Sequence, residues 1–427
     1  YSPSGEKVYE VDSPNGSAGP EPIYFISQTA GNYRLEVRSL EKQAKAGNYE
    51  VKINELRASI VEDIDRVAGF KALGEAVLLA TENKLQLAIN KYQEAIEKFD
   101  KTNEFLAKAN ILISLGSFYS DKGDYLKAEP LLIQSLDIRK KLLGDNHFDT
   151  SISINNLAVL YERKGNLSKA EPLYIQSLDI RKKLLGDNHF ETANSLNNLG
   201  GLYYRKGDFS KAEPLYIQAL EIFKKVIGDN HPNTVISMNN LGLFYSNKGD
   251  YSKAEPLLIQ SLEIHEKILG NNHSDTAIFR NNLALFYRKK GDLSKAESLY
   301  IQALEVCRKT LGDSHPNTAI FSTNLAGFYS ERGDYLKAEP LLIQASEIFE
   351  KVFGHNHPQT AEFTSNLAIL YEKKGDYSKA EPLFIEALDV RKRLLGNNHP
   401  DTASSINNLA GLYYKKGDYS KAEPLLI

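Results

Sequence analysis

The sequence predicts a mainly α fold: a right-handed α-solenoid of stacked helix hairpins, preceded by a small N-terminal antiparallel β unit. Three observations predict it. The stretch Asn155–Phe190, NNLAVLYERKGNLSKAEPLYIQSLDIRKKLLGDNHF, returns in frame at Asn197, Asn239, Asn281, Thr323, Ser365 and Asn407, always 42 residues on. Each period holds two apolar stripes at helical spacing. Residues 1–57 lie outside the period and alternate apolar with polar instead. A hairpin this small cannot cover its own stripes. Neighbours in file cover them, and stability becomes a sum of repeat and interface terms.

In chain order, Lys7–Val11, Pro22–Ser27, Tyr33–Ser39 and Tyr49–Leu56 read as four short strands. Ser13-Pro14-Asn15-Gly16, Ala30-Gly31-Asn32 and Ala46-Gly47-Asn48 supply the turns between them. Four strands make a thin sandwich, so 1–57 is expected to be a partial β-sandwich-like unit. Ile60–Thr81 and Leu85–Lys101 are helical patterns without the repeat's linker, which makes 58–102 a helical cap built on a degenerate repeat. The regular array follows over 103–427, as seven full repeats and an eighth that stops at Ile427 inside a helix. That ending, and a start at Tyr1 rather than Met, suggest a fragment of a longer protein.

Within the template repeat the first helix is expected over about Ser151–Lys164, with Ile154, Leu157, Ala158 and Tyr161 inward. Gly165 then supplies the left-handed residue that closes it. The second helix is expected over Ser168–Leu185, with Ser168 and Glu171 at capping-box spacing and Pro172 in the first turn. Ala170, Leu173, Tyr174, Ser177 and Leu178 face inward, and Gly186 ends the helix.

Composition excludes several classes. Net charge is -3, which leaves no bulk attraction for nucleic-acid phosphate. One cysteine, Cys307, forbids an internal disulfide and fits a reducing compartment, so cytoplasmic placement is expected. No apolar run has the length of a membrane span, and no signal peptide is visible.

Leu157-Ala158, Tyr161, Gly165, Ala170, Tyr174 and Ser177-Leu178 resemble the tetratricopeptide signature, with Ala in place of its Gly and Ser in place of its second Ala. The long form, with Leu185–His189 (LGDNH) between repeats, is similar to the repeats of kinesin light chains and of large bacterial repeat proteins. This resemblance covers about 103–427. It implies a scaffold that binds a protein or peptide along the concave face, which the first helices line in such arrays. It names no ligand. Residues 1–57 resemble the last strands of the bacterial pre-peptidase C-terminal β-sandwich, a unit that precedes such arrays in some cyanobacterial proteins. Those arrays often lead to a caspase-like CHAT peptidase domain. The second function this implies is a regulatory or sensor arm of a larger enzyme. No Cys/His pair in this chain fits that peptidase, and no catalytic residue, cofactor or small-molecule ligand is expected.

The histidines His147, His189, His231, His273, His315, His357 and His399 recur once per period. Metal ligands must converge at about 2 Å from one ion, whereas loops of packed helices lie about 8–10 Å apart. They are therefore read as structural, packed before a helix start. The basic clusters at Arg139, Arg181 and Arg391 are read as solvated helix ends. Cys307, set in register with Ile180, is read as packing.

Asparagine carries the binding expectation. Asn156, Asn198, Asn240, Asn282, Asn324, Asn366 and Asn408 recur, mostly preceded by a second Asn at 155, 197, 239, 281 and 407. Asn is a mediocre helix-interior residue, yet its amide can donate to and accept from a peptide backbone. In this family the residue matching Asn156 commonly contacts bound peptide. About half of the row is expected instead to bond the neighbouring repeat. Beside it, positions after Tyr161 vary between repeats: Tyr204-Arg205, Arg288-Lys289 and their equivalents. The candidate peptide-binding set is Asn155, Asn156, Asn197, Asn198, Tyr204, Arg205, Asn239, Asn240, Asn281, Asn282, Arg288, Lys289, Asn324 and Asn366. Arg205, Arg288 and Lys289 give the middle a basic character, which favours an acidic segment.

Overall fold

The computed structural model describes residues 59–426 except 83, together with the isolated positions 4, 26 and 27. The four strands expected over 1–57 lie outside the described residues. Among the described residues there are eighteen helices and no strand. They divide into two compact units, one within Tyr1–Leu115 plus Gln134–Leu142, the other Gly116–Ile133 plus Leu143–Ile427.

In the first unit, α1 (Val61–Thr81) and α2 (Leu85–Phe99) pair closely. Phe99 lies edge-on to Phe70, and its ring fills the space that a side chain on Gly69 would take. Ala72, Ala76, Ala88 and Ala95 are buried at the crossing. Helices α3 (Phe105–Asp121) and α4 (Tyr125–Leu143) are shared between the units.

The second unit continues as hairpins. They are α5 (Phe148–Arg163) with α6 (Leu167–Leu185), α7 (Phe190–Arg205) with α8 (Phe209–Ile227), and α9 (Pro232–Lys248) with α10 (Tyr251–Leu269). Next come α11 (Ser274–Lys290) with α12 (Leu293–Leu311), α13 (Pro316–Glu331) with α14 (Tyr335–Phe353), and α15 (Pro358–Lys374) with α16 (Tyr377–Leu395). The last pair is α17 (Pro400–Lys416) with α18 (Tyr419–Leu426). Each second helix also packs on the next first helix, and α9, α11, α13, α15 and α17 touch in succession. The expected inward residues Ile154, Leu157, Ala158, Tyr161, Ala170, Tyr174 and Leu178 are buried, and Leu173 is half-buried.

The recurring histidine has the structural place expected before a helix start, and it is the N-cap of each first helix from α5 on: His147 Nδ1 accepts the Asp149 N–H at 3.1 Å, and His231 accepts that of Asn233 at 3.2 Å. The second helix starts at Leu167 with Asn166, not Ser168, as its cap; Asn166 Oδ1 accepts the Lys169 N–H and the Ser168 hydroxyl. Asp208, Asp250, Asp292 and Asp376 accept the corresponding Lys N–H in later repeats. That start puts Pro172 in the second turn, where it forgoes one helical bond. Gly165, with φ +70°, holds the expected left-handed position.

The period of 42 puts Cys307 in register with Arg181, not Ile180. Cys307 is fully buried, and burial pushes its thiol pKa up. Arg139, Arg181 and Arg391 are themselves buried rather than solvated, with 5%, 5% and 7% of their surface exposed.

A polar clasp joins consecutive hairpins. Glu213 of α8 accepts the Tyr245 hydroxyl of α9 at 3.1 Å and pairs with Lys248, while Lys253 lies over the Tyr245 ring. The same three partners recur at Glu171, Tyr203 and Lys206, and at Glu255, Tyr287 and Lys290. The Lys248 bond holds the Glu213 carboxyl below its usual range, and burial first of all pushes the Tyr245 phenol up to about 12. Tyr245→Phe is expected to lower stability by about 1 kcal/mol, read from denaturant midpoints. An unchanged midpoint would show the clasp to be energetically idle.

Contacts within the second unit also join distant repeats. His399 Nε2 lies 3.2 Å from the Arg163 carbonyl, 236 residues away. His357 is 3% exposed and sits beside the Asp121 backbone and Lys122. Burial lowers its pKa from 6.5 to about 4. The unfolded chain therefore binds this proton more readily between those values. The contribution is full above about pH 6.5 and falls as pH drops towards 4, with a slope of at most about 1.4 kcal/mol per pH unit. Melts of the parent chain and of His357→Asn, compared between pH 7 and 4, check this. Equal slopes would refute it.

Candidate binding wall on the first helices

Helix α9 explains why one face of the first helices stays open. Val235, Met238, Leu241, Gly242, Phe244 and Tyr245 are buried, because that side meets its own second helix and the preceding hairpin. Ile236, Asn240 and Leu243 fall at i, i+4 and i+7 on the remaining side. In α11 the corresponding residues are Ile278, Asn282 and Leu285, and in α13 Ile320, Asn324 and Gly327.

The asparagines are joined across repeats. Asn198 Nδ2 donates to Asn155 Oδ1 at 3.1 Å, Asn282 to Asn239 at 3.3 Å and Asn324 to Asn281 at 3.0 Å. Asn239 and Asn281 are buried by this arrangement. Asn197 Oδ1 accepts the Ser237 hydroxyl at 3.3 Å. Asn156 turns back and donates to the Ile152 carbonyl at 2.8 Å. The side chains of Asn240 and Asn366 are half-exposed and make no hydrogen bond with other described residues. The first Asn of a pair is thus an acceptor for the next repeat. The second is half-exposed.

The basic character expected for the middle is largely cancelled. Arg205 Nε lies 3.1 Å from Glu162, and Arg288 Nη2 lies 2.7 Å from Glu331. Lys289 bonds Asn247. Burial first, then the neighbouring Arg288, lowers the Lys289 pKa. The Tyr204 ring leans on Phe209 and Phe244, at 5.9 and 6.2 Å, and is half-exposed.

What the sequence reading missed is apolar. Ile236, Ile278 and Ile320 are 45%, 41% and 37% exposed, in successive first helices, one turn before Asn240, Asn282 and Asn324. The same place is held by Ile152, partly buried, in α5, and by Asn194, Glu362 or Ser404 in the other hairpins from α7 on. The signal lay in a column of the frame: β-branched residues at the position four before the second Asn, on the side that packs against nothing. Among the described residues no group of acidic, histidine or cysteine side chains could hold a metal, and no helix is long and apolar enough to cross a membrane.

Family models of the tetratricopeptide repeat match residues 108–183, 152–225, 191–267, 320–388 and 363–426, with a second such model over 276–317. The chain belongs to the tetratricopeptide-repeat family. No curated protein matches it. Among solved structures, this tetratricopeptide chain is similar to the putative kinesin light chain nearly identical TPR-like repeats of Podosopora anserina. The two share 26% identity, with 48% of this chain and 97% of that chain covered, at a TM-score of 0.41. A Rap protein complexed with Competence and Sporulation Factor is 15% identical over 84% of this chain and 95% of that chain, at a TM-score of 0.55. Yeast Tom70 is 16% identical over 86% and 67%, at 0.53. At such identities the likeness to Rap and Tom70 is one of fold.

Proposed function

We propose that the second unit is an interaction scaffold that captures an extended segment of a partner protein along its first-helix wall. The observation that carries the reading is the exposed column Ile236, Ile278 and Ile320 beside half-exposed amides on the same face. Exposed apolar columns rimmed by polar groups mark interaction sites. Packed helices lie about 8–10 Å apart and an extended chain rises about 3.3 Å per residue, so one repeat spans about three residues of guest. Apolar guest side chains at that interval rest on the isoleucines, and the carbonyls of Asn198, Asn282 and Asn324 accept from its backbone. The pairing of Arg205 and Arg288 with glutamates makes an apolar guest a better match than an acidic one. The same fold in the Rap protein was solved complexed with Competence and Sporulation Factor, which supports the mode. The reading contains no catalytic step.

The test is a pull-down from native lysate read by mass spectrometry, with the parent chain beside Ile236→Asp/Ile278→Asp/Ile320→Asp. Captured proteins are expected to fall at least tenfold with helicity unchanged. Equal capture would sink the proposal. Asn198→Ala, Asn240→Ala and Asn282→Ala together are expected to weaken capture; a collapse of the array instead would make those amides purely structural.

A further inference from the structure

Two of the seven capping histidines differ from the rest. His147 and His273 leave 44% and 42% of their side chains exposed, whereas His357 and His399 are 3% and 7% exposed. The glycines that close the first helices divide the same way. A Cβ on Gly123 would meet Pro358 Cδ at 2.6 Å, and one on Gly165 would meet Pro400 Cδ at 2.7 Å. Gly207, Gly249, Gly291 and Gly333 hold the same place and would meet nothing within 4 Å. The loop after α3 therefore lies on the start of α15, and the loop after α5 on the start of α17. His399 closes two bonds at this seam. Its Nδ1 accepts the Asp401 N–H at 3.1 Å, so Nε2 carries the proton and donates to the Arg163 carbonyl.

We propose that this seam is a latch: the two loop-to-helix contacts hold one turn of the second unit shut, and their release opens the first-helix wall from the side. Two proline rings rest on two glycines, His399 donates to the Arg163 carbonyl and His357 lies buried against the Asp121 backbone, while every repeat keeps its own packed interior. Separating these contacts removes none of the packing inside a hairpin, so closed and open forms can exchange with the repeats intact. The latch goes beyond the capture of a segment, because it governs when the wall can be reached by a guest too long to thread along it.

The test uses an internal control. Gly123→Ala/Gly165→Ala wedges the seam, whereas Gly207→Ala/Gly249→Ala imposes the same left-handed strain where there is no neighbour. Spin labels on Ser168→Cys and Ser404→Cys report the seam, since the native Cys307 is buried. The parent chain and the control pair are expected to show a predominant short-distance population, and the seam pair to lose most of it at unchanged helicity. His399→Asn, which keeps a capping acceptor but cannot reach Arg163, is expected to lose part of it, and serves if the glycine pair does not fold. A bulky maleimide should label Ile278→Cys several-fold faster in the wedged chain. Absence of the short population from the parent chain, equal distances in both glycine pairs, or equal labelling rates would each overturn the latch.

Discussion

Phe286→Ala is expected to lower the unfolding free energy by about 3–5 kcal/mol, and Leu283→Ala by about 2–4 kcal/mol. Phe286 is fully buried; its ring meets Tyr251 at 5.8 Å and Tyr287 at 5.2 Å. It therefore belongs both to its own hairpin and to the interface with α10. Truncation leaves a cavity that neither side can fill, because each is pinned by its own helix pair. In a stacked array the loss is local. The break should appear as unfolding that divides near α11, with transitions by different probes no longer coinciding. A denaturant melt superimposable on that of the parent chain would show that the inward face has been misassigned.

Glu191→Ala is expected to cost about 3 kcal/mol, whereas Arg181→Phe should change stability little. Arg181 Nη1 lies 3.0 Å from Glu191, 3.0 Å from Ser195 Oγ and 3.2 Å from the Glu191 carbonyl, and its Nε is 3.2 Å from Ser151 Oγ. Burial pulls the guanidinium pKa down and the Glu191 carboxylate opposes that. Removing Glu191 strands a buried charge. Removing the charge itself does not, and the chain already shows the apolar alternative. Phe223 and Phe349 hold the same place, fully buried, and Phe223 packs against Phe190 at 5.7 Å. The ordering of the two midpoints decides the matter. Arg181→Phe as damaging as Glu191→Ala would mean that the polar network itself, not desolvation, sets the stability there.

Much of this molecule was legible in its sequence because local and global signals coincide. The 42-residue period, the helical spacing of Leu157, Ala158 and Tyr161, and the positive φ of Gly165 all describe one hairpin, and neighbouring hairpins repeat it. The cap of the second helix was misread because Ser168 satisfies a familiar spacing while Asn166, which accepts the backbone bond, stands outside the apolar run. The buried Arg181 was invisible because burial of a cation depends on partners ten to thirty residues away. On the wall, the asparagine rows could be seen, but their division into inter-repeat acceptors and half-exposed amides depends on how adjacent helices are offset. The isoleucine column was passed over because an apolar residue on a helix is expected to face the core. The seam could not be foreseen at all: nothing in the frame distinguishes Gly165 from Gly207 until curvature brings Pro400 to one and leaves the other bare.

The clasp of Glu213 with Tyr245 and Lys248 has a consequence for how such a chain can change in length. The hairpin α7–α8 carries the acid half of one fastening, Glu213, and the phenol-and-amine half of the previous one, Tyr203 and Lys206. Excising a whole 42-residue cassette would bring together two halves that already fit, as Glu171 and Tyr245 are interchangeable in kind with Glu171 and Tyr203. Duplication within the gene could therefore lengthen or shorten the array one cassette at a time without leaving an unmatched joint.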